Sequence, residues 1–202
     1  RNCGLADTSG STAFWRASYS TDVEAMKLLV KHGADPHIPT MAPKAAVRRG
    51  PEGGGPGSDG SKQALTVEIP KLTPIPYGGP GASALHAAAG VEYGEGFAGN
   101  AHRHAPDSWL AAVKYLVEDL GLDVNARDND GYTPLHHAAA RGDNEVIMYL
   151  VSKGADVTVV ARNGQTTADM ANGPVQRVSP FPATVALLEK LGSKNNHRCV
   201  SC

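Results

Sequence analysis

Two histidines and two glutamates in a Gly-rich stretch form the first group that could bind a ligand. His102 and His104 stand one residue apart, and Glu92 and Glu95 precede them. Imidazole and carboxylate groups are ligands that zinc and similar ions take in proteins, so a metal site is one interpretation of this segment. The other interpretation, which we favour for an H-x-H pair in a loop, is that the imidazoles hydrogen-bond to the loop backbone and hold its shape.

Two cysteines at the end of the sequence form the second group. Cys199 and Cys202 have the C-x-x-C spacing, and the third cysteine, Cys3, lies far from them, so the count does not suggest a disulfide framework. Thiols at this spacing bind zinc or form a redox pair, and C-x-x-C followed by His is the attachment motif of c-type haem. The residue after Cys202 is not part of the sequence. A c-type haem, a zinc ion, a disulfide and free thiols therefore all stay open here.

Other catalytic and ligand-binding motifs are absent from the sequence. It has no catalytic motif that combines Ser, His and Asp. The Gly-rich stretch 53–57 lacks the Lys-Ser/Thr of a phosphate-binding loop. The formal net charge of −1 indicates no nucleic-acid surface. No apolar run approaches the roughly 20 residues that a bilayer span requires. We therefore expect a protein that is not an enzyme, binds no nucleic acid and does not span a membrane.

The elements that would position these residues are set by an internal repeat. Residues 131–139 read Gly-Tyr-Thr-Pro-Leu-His-His-Ala-Ala, and a related phrase begins 33 residues later, at Gly164. Copies of the phrase also begin at Gly81 and, more weakly, at Gly10. A second phrase, an apolar run followed by Gly-Ala-Asp, trails the first at 28–35 and 149–156, and at 115–123 with one extra residue. A fixed period of this length is typical of stacked two-helix units.

The combination of Thr-Pro-Leu-His, Ala-Ala and Gly-Ala-Asp at this period resembles the ankyrin repeat. The resemblance implies an all-α solenoid of about four helix-turn-helix units, 10–40, 81–126, 131–160 and 164–192. In that family the histidine of the phrase binds the Thr of its own motif and the neighbouring backbone, and His86 and His136 match this position. Trp15 and Asp169 stand at the same position in the first and last units.

Local physical chemistry supports two helices in each unit. Thr133 is a good N-cap, and Pro134 fits the first helical position, where its missing N–H costs nothing. The small side chains of Ala138 and Ala139 allow a second helix to approach closely. We expect that helix to run from Glu145 to Lys153, with Val146, Ile147, Leu150 and Val151 on its apolar face. In the last unit we expect the outer helix, Thr184 to Leu191, to cap the array.

Three insertions, at about 41–80, 91–107 and 172–182, interrupt the repeats. The first lies between two units, so we expect it to extend the turn that joins them. The second and third each lie between the two helices of a unit. Equivalent positions emerge at the same edge of a stack, so we expect both insertions to flank Arg141-Gly142-Asp143 and to form one composite surface.

The resemblance implies a scaffold that binds another protein, or other domains of the same longer chain, through its concave face and inserted loops. The alignment of residues 5–10 with 126–131 suggests that Arg1 begins inside the tail of an earlier repeat. The tail also resembles bacterial members of the family with C-x-x-C-H, which would imply haem and export; without haem we expect a cytoplasmic protein. By position, the contact residues are expected to be Arg127, Asn129, Asp130, Tyr132, His137, Arg141, Arg162, Asn163 and Gln165.

Overall fold

The computed structural model of the chain describes residues 8–43, 72–91, 93, 107–173 and 179–197. Its helices are α1 (Ala13–Tyr19), α2 (Val23–Lys31), α3 (Ala84–Ala89), α4 (Ser108–Lys114), a π-helical segment (Tyr115–Asp119), α5 (Pro134–Ala140), α6 (Asn144–Ser152), α7 (Thr167–Ala171) and α8 (Pro182–Lys190). The β pairing among the described residues consists of two isolated bridges, Met41–Pro80 and Val160–Thr166. The predicted all-α fold is confirmed. None of the described helices has the length and apolar character of a membrane span.

The helices form two rows around one continuous core. Helices α1, α3, α5 and α7 pack successively as an inner row, and α2, α4 and α6 pack against their backs, with α8 against α7. The inner helices are short and rich in alanine, and every residue of α3, α5 and α7 is buried. Small side chains let neighbouring helices approach closely, so each unit covers the apolar face of the next.

Hydroxyl residues define where the inner helices begin. Thr12 Oγ1 accepts a hydrogen bond from the Trp15 amide at 3.1 Å, and Thr166 Oγ1 accepts one from the Asp169 amide at 3.1 Å. Thr133 is the N-cap of α5, and Pro134 is the first helical residue, as the sequence predicts.

The outer helices lie within two residues of the sequence prediction at each end. Helix α6 spans Asn144–Ser152 instead of Glu145–Lys153, and three of its four predicted apolar residues, Val146, Ile147 and Leu150, are fully buried. Helix α8 begins at Pro182, two residues before Thr184, because proline is well suited to the first turn of a helix.

Consecutive inner helices are joined by buried hydrogen bonds from ring N–H groups. His86 Nε2 lies 3.1 Å from the carbonyl oxygen of Tyr132 in the next unit. The Ser83 amide donates to His86 Nδ1 at 3.2 Å, so the ring proton sits on Nε2 and is donated to Tyr132. In the first unit, Trp15 Nε1 donates to the Ala82 carbonyl at 2.9 Å. Tryptophan therefore replaces the expected histidine without losing the link.

The third unit keeps the helix cap of this link, and the fourth unit inverts the bond. The Thr133 amide donates to His136 Nδ1 at 3.2 Å, while the buried Nε2 lies near the backbone of Gln165, the counterpart of Tyr132, without a hydrogen bond of standard geometry. Asp169 can only accept, and it receives the amide of Asn196 at 2.6 Å as well as that of Thr166 at 3.0 Å. The segment 193–196 therefore closes this end of the stack together with α8.

The π-helical segment explains the extra residue of the second unit. From Tyr115 to Gly121 the chain has one residue more than from Tyr149 to Gly154. A π turn takes up one additional residue within a helix. As a result Leu116 stays fully buried, and Gly121 ends its helix at φ +67°, as Gly154 does at φ +90°.

The loops that join consecutive units contain tight turns, and we call them fingers. Finger 1 comprises residues 35–42 and 77–83, finger 2 residues 123–133, and finger 3 residues 156–166. In finger 1 the Ala42 amide donates to the Gly79 carbonyl at 2.7 Å, and the Gly78 amide donates to Ala42 at 3.1 Å. The first insertion thus leaves and rejoins finger 1 at a paired base, in agreement with its expected place between two units.

We predict that stability falls as the pH decreases from about 6.5 to about 4. Burial lowers the pKa of His86 from 6.5 to about 4 and that of His136 to about 3. In this window the two histidines bind protons in the unfolded chain but stay neutral in the folded chain. The free energy of unfolding that they contribute is therefore fully present above pH 6.5 and is lost as the pH falls. At 1.36 kcal/mol per pKa unit, the loss is on the order of a few kcal/mol.

Urea unfolding of a His86→Gln, His136→Gln variant across this pH range measures the effect. The variant should be less stable at pH 7.5 but should show a flatter decline between pH 6.5 and 4.5. His37→Gln, on the exposed part of finger 1, is the matched control and should keep the steep decline. An equally steep decline in the double variant would contradict the assignment.

A second prediction concerns the ring N–H of Trp15. Trp15→Phe removes the ring donor to the Ala82 carbonyl, which then keeps only the Thr40 donor, whereas Trp15→His removes more volume but retains a ring N–H. A buried hydrogen bond contributes about 0.5–1.5 kcal/mol. The Phe variant should therefore unfold at a lower urea concentration than the His variant, and equal midpoints would refute the role of the N–H.

Candidate interaction surface

The nine residues predicted to contact a partner lie on fingers 2 and 3 and on α5 with its C-cap. Arg127 and Asp130 are exposed, and His137, Arg141 and Gln165 are buried; the remaining four are partly buried. The structure brings most of them together, but it engages them with each other and with the backbone. Their role as partner contacts stays a prediction, and the three buried ones have little surface to offer.

Arginine side chains tie finger 2 to finger 3. Arg127 Nη1 donates to the Val160 carbonyl at 2.9 Å and to the Gly131 carbonyl at 3.3 Å. In the other direction, Arg162 Nε donates to the Asn129 carbonyl at 2.9 Å, and its amide donates to Asp130 at 3.0 Å. The two finger tips are therefore held in a fixed relation by bonds that run both ways.

A polar cluster at the base of these fingers adds side-chain bonds. Tyr132 Oη donates to Gln165 Oε1 at 2.6 Å, while Asn163 Nδ2 donates to Tyr132 Oη at 2.7 Å and to Gln165 Oε1 at 2.6 Å. The Tyr132 ring packs edge-on against His136 and His137, with centroid distances of 5.5 and 5.8 Å. The phenol thus joins the polar cluster to the inner helix.

Asp128 is a central residue that was not among the predicted contact residues. Its Oδ1 accepts the amides of Asp130 at 3.0 Å and Tyr132 at 2.9 Å, and its Oδ2 lies 3.0 Å from His137 Nε2. Burial alone would raise the pKa of Asp128. The hydrogen bond and charge of His137 outweigh this effect and hold the pKa below its usual value. The Asp-Asn-Asp-Gly turn was the available signal, but it does not reveal the bond to His137.

His86, Asp128 and His137 lie close enough to suggest a metal site, with one potential ligand atom each within 4.8 Å of the others. The hydrogen bonds do not fit that use. His86 Nδ1 accepts from the Ser83 amide, so Nε2 carries a proton that it donates to Tyr132 and has no lone pair to offer a metal. Binding an ion would require the other tautomer and the loss of the helix cap. The cluster therefore fits a structural role.

The other predicted ligands lie outside the described residues. These are His102, His104, Glu92 and Glu95 of the second insertion and Cys199 and Cys202 of the tail. A metal at the first set and a c-type haem or other thiol chemistry at the second stay predictions.

The edge at the turn between α5 and α6 carries the described flanks of the second and third insertions. The Arg141 guanidinium stacks 3.6 Å from the ring centroid of Trp109, and its Nη2 donates to Asp143 at 2.7 Å. A Cβ on Gly90 would lie 3.0 Å from Arg141, and a Cβ on Gly142 would lie 2.5 Å from the Phe181 ring. Both flanks therefore reach the same turn. The composite surface itself stays a prediction because most of the two loops lies outside the described residues.

Large exposed apolar side chains occur on two parts of the described surface. Finger 1 carries Ile38, Met41 and Tyr77, of which Ile38 is 44% and Tyr77 69% exposed. The outer helices carry Leu28, 57% exposed, and Met148, 47% exposed. Finger 1 thus gathers three such side chains, whereas the outer helices show them singly.

Comparison with known proteins bears on the repeating units. A family model described as "Ankyrin repeats (3 copies)" matches residues 78–161, and one described as "Ankyrin repeat" matches residues 9–41. Together the two matches cover more than half of the 202 residues. The fourth unit lies outside both matches and is identified by α7, α8 and the cap formed by Thr166 and Asp169.

Several curated relatives are similar to part of the chain. Protein phosphatase 1 regulatory subunit 12A of Rattus norvegicus is 36% identical over 116 residues, which is 57% of this chain and 9% of that protein. Ankyrin repeat domain-containing protein 49 of Homo sapiens is 43% identical over 51 residues, 25% of this chain and 21% of that protein. Ankyrin repeat and SAM domain-containing protein 6 of Rattus norvegicus is 35% identical over 95 residues, 44% and 11% of the respective chains.

The chain therefore spans 9%, 21% and 11% of these three relatives, respectively. The likeness concerns the repeats and not the whole of those proteins. With models of this repeat matching more than half of its length, and with the expected helix pairs and inter-unit links in place, the chain belongs to the ankyrin-repeat family.

Proposed function

We propose that this array is a protein-interaction module that binds a protein partner along its fingers and catalyses no reaction itself. The main support is the cross-bonded edge formed by fingers 2 and 3, which continues into the exposed apolar side chains of finger 1. A pre-ordered surface loses little conformational entropy on binding, which favours affinity.

The family and its relatives support the same assignment. Repeat proteins of this kind share a scaffold, and their contacts vary with the surface residues. One relative is named a regulatory subunit, which describes a protein that acts through another protein. For this chain, protein binding is thus the function class that the comparisons favour over catalysis.

Finger 1 supplies the side chains best suited to an apolar contact. Aromatic and large apolar groups dominate binding energy at interfaces, and truncating a hot-spot residue costs about 2 kcal/mol or more. Tyr77 and Ile38 are exposed members of this set, whereas Met41 packs over Gly10 and also serves the fold. We therefore place the apolar part of the contact at Ile38 and Tyr77.

The test is capture of partners from native extract by the immobilised chain, followed by affinity measurement with the captured protein. An Ile38→Asp, Tyr77→Asp variant should bind at least tenfold more weakly. The matched control is Leu28→Asp, Met148→Asp, which alters two apolar side chains of similar exposure on the outer helices. Equal binding by the finger variant and the wild type, or equal loss in both variants, would refute the assignment of the contact to the fingers.

A further inference from the structure

The end of the first insertion lies across fingers 2 and 3. Arg162 Nη1 donates to the carbonyl of Leu72 at 2.8 Å, and Nη2 donates to the carbonyl of Thr73 at 2.6 Å. These partners are 90 and 89 residues apart in the sequence. A single guanidinium therefore holds two consecutive backbone carbonyls of a segment that enters from another finger.

The groups that receive this segment are ordered by the fingers themselves. Arg162 Nε is fixed on the Asn129 carbonyl, which leaves the two Nη groups directed at the segment. Gly131 has φ +81°, and a Cβ there would lie 3.1 Å from Leu72 Cδ1 and 3.2 Å from the Arg162 amide. The missing side chain makes room for the leucine, since any Cβ would crowd both neighbours.

The segment is held chiefly through its main chain. The contacts use two carbonyls and one leucine side chain, so they depend on an extended backbone and an apolar residue at one position. Pro74 follows Thr73 and restricts Thr73 to extended conformations, which reduces the entropy lost on docking. We call Gly131, Arg162 and the Asn129 carbonyl the peptide seat.

We propose that the peptide seat binds an extended segment of a protein partner that carries leucine two residues before proline, and that residues 72–74 of this chain occupy it in the free protein. The proposal rests on the function proposed above and specifies its partner as an extended peptide. Because the chain's own segment is tethered, it competes at an effective concentration of about millimolar. The apparent affinity for the partner therefore falls in proportion to the fraction of molecules in which the chain's own segment has left the peptide seat.

A labelled peptide with the sequence of residues 70–77, titrated into the full chain by fluorescence anisotropy, tests the proposal. Leu72→Asp weakens the chain's own segment, so this variant should bind the peptide at least tenfold more tightly than the wild type. Adding Arg162→Ala to Leu72→Asp should abolish binding. Adding Arg16→Ala instead is the matched control, since Arg16 is an exposed arginine of α1 that bonds Thr8 and not the segment, and it should change binding less than threefold.

Failure of the peptide to bind Leu72→Asp, or equal binding by the Arg162→Ala and Arg16→Ala combinations, would overturn the proposal. Thermal melts confirm that each variant is folded. As a second measurement in the otherwise native chain, Arg162→Ala should shift the carbonyl 13C resonances of Leu72 and Thr73, whose hydrogen-bond donors it removes, and unchanged resonances would also overturn it. Partner capture through Ile38 and Tyr77 is independent of these results, so the two proposals fail separately.

Discussion

The buried link from a ring N–H of one inner helix to a carbonyl of the next unit is the interaction on which the array depends. Trp15 and His86 each make it, and the His86 ring also caps its own helix through Nδ1. One side chain therefore fixes both the start of a helix and its distance to the neighbouring unit. Since a buried ring N–H without an acceptor is costly, the link selects one register of stacking.

This register determines how the fingers meet. The Met41 amide donates to the Ser9 carbonyl and the Arg162 amide to the Asp130 carbonyl, so the same tip-to-tip bond recurs at both ends of the described array. The Trp15 and His86 links of the inner row are present although insertions interrupt the chain nearby. The first one returns to finger 1 as a paired segment, which brings Leu72 within reach of a finger two units away.

The sequence predicted the units, the caps and the outer helices to within about two residues, because Thr-Pro, Gly and the apolar spacing act locally. It could not predict that Trp15 keeps the inter-unit bond, since this requires knowing where the Ala82 carbonyl lies. For the surface, position alone selected residues that lie on fingers 2 and 3 and on α5, and their role as partner contacts stays a prediction. It could not show that His137 turns inward to Asp128, or that Leu72 reaches Arg162, because those contacts depend on packing between distant segments.

The π turn in the second unit has a consequence for how such a chain can change in evolution. It confines an added residue to the back of the stack, where a helix can bulge without disturbing its neighbours. The same addition in an inner helix would rotate a ring donor away from its carbonyl and break the array at that joint. We expect length variation among related chains to accumulate in outer helices and finger tips, while the inner helices keep a constant length.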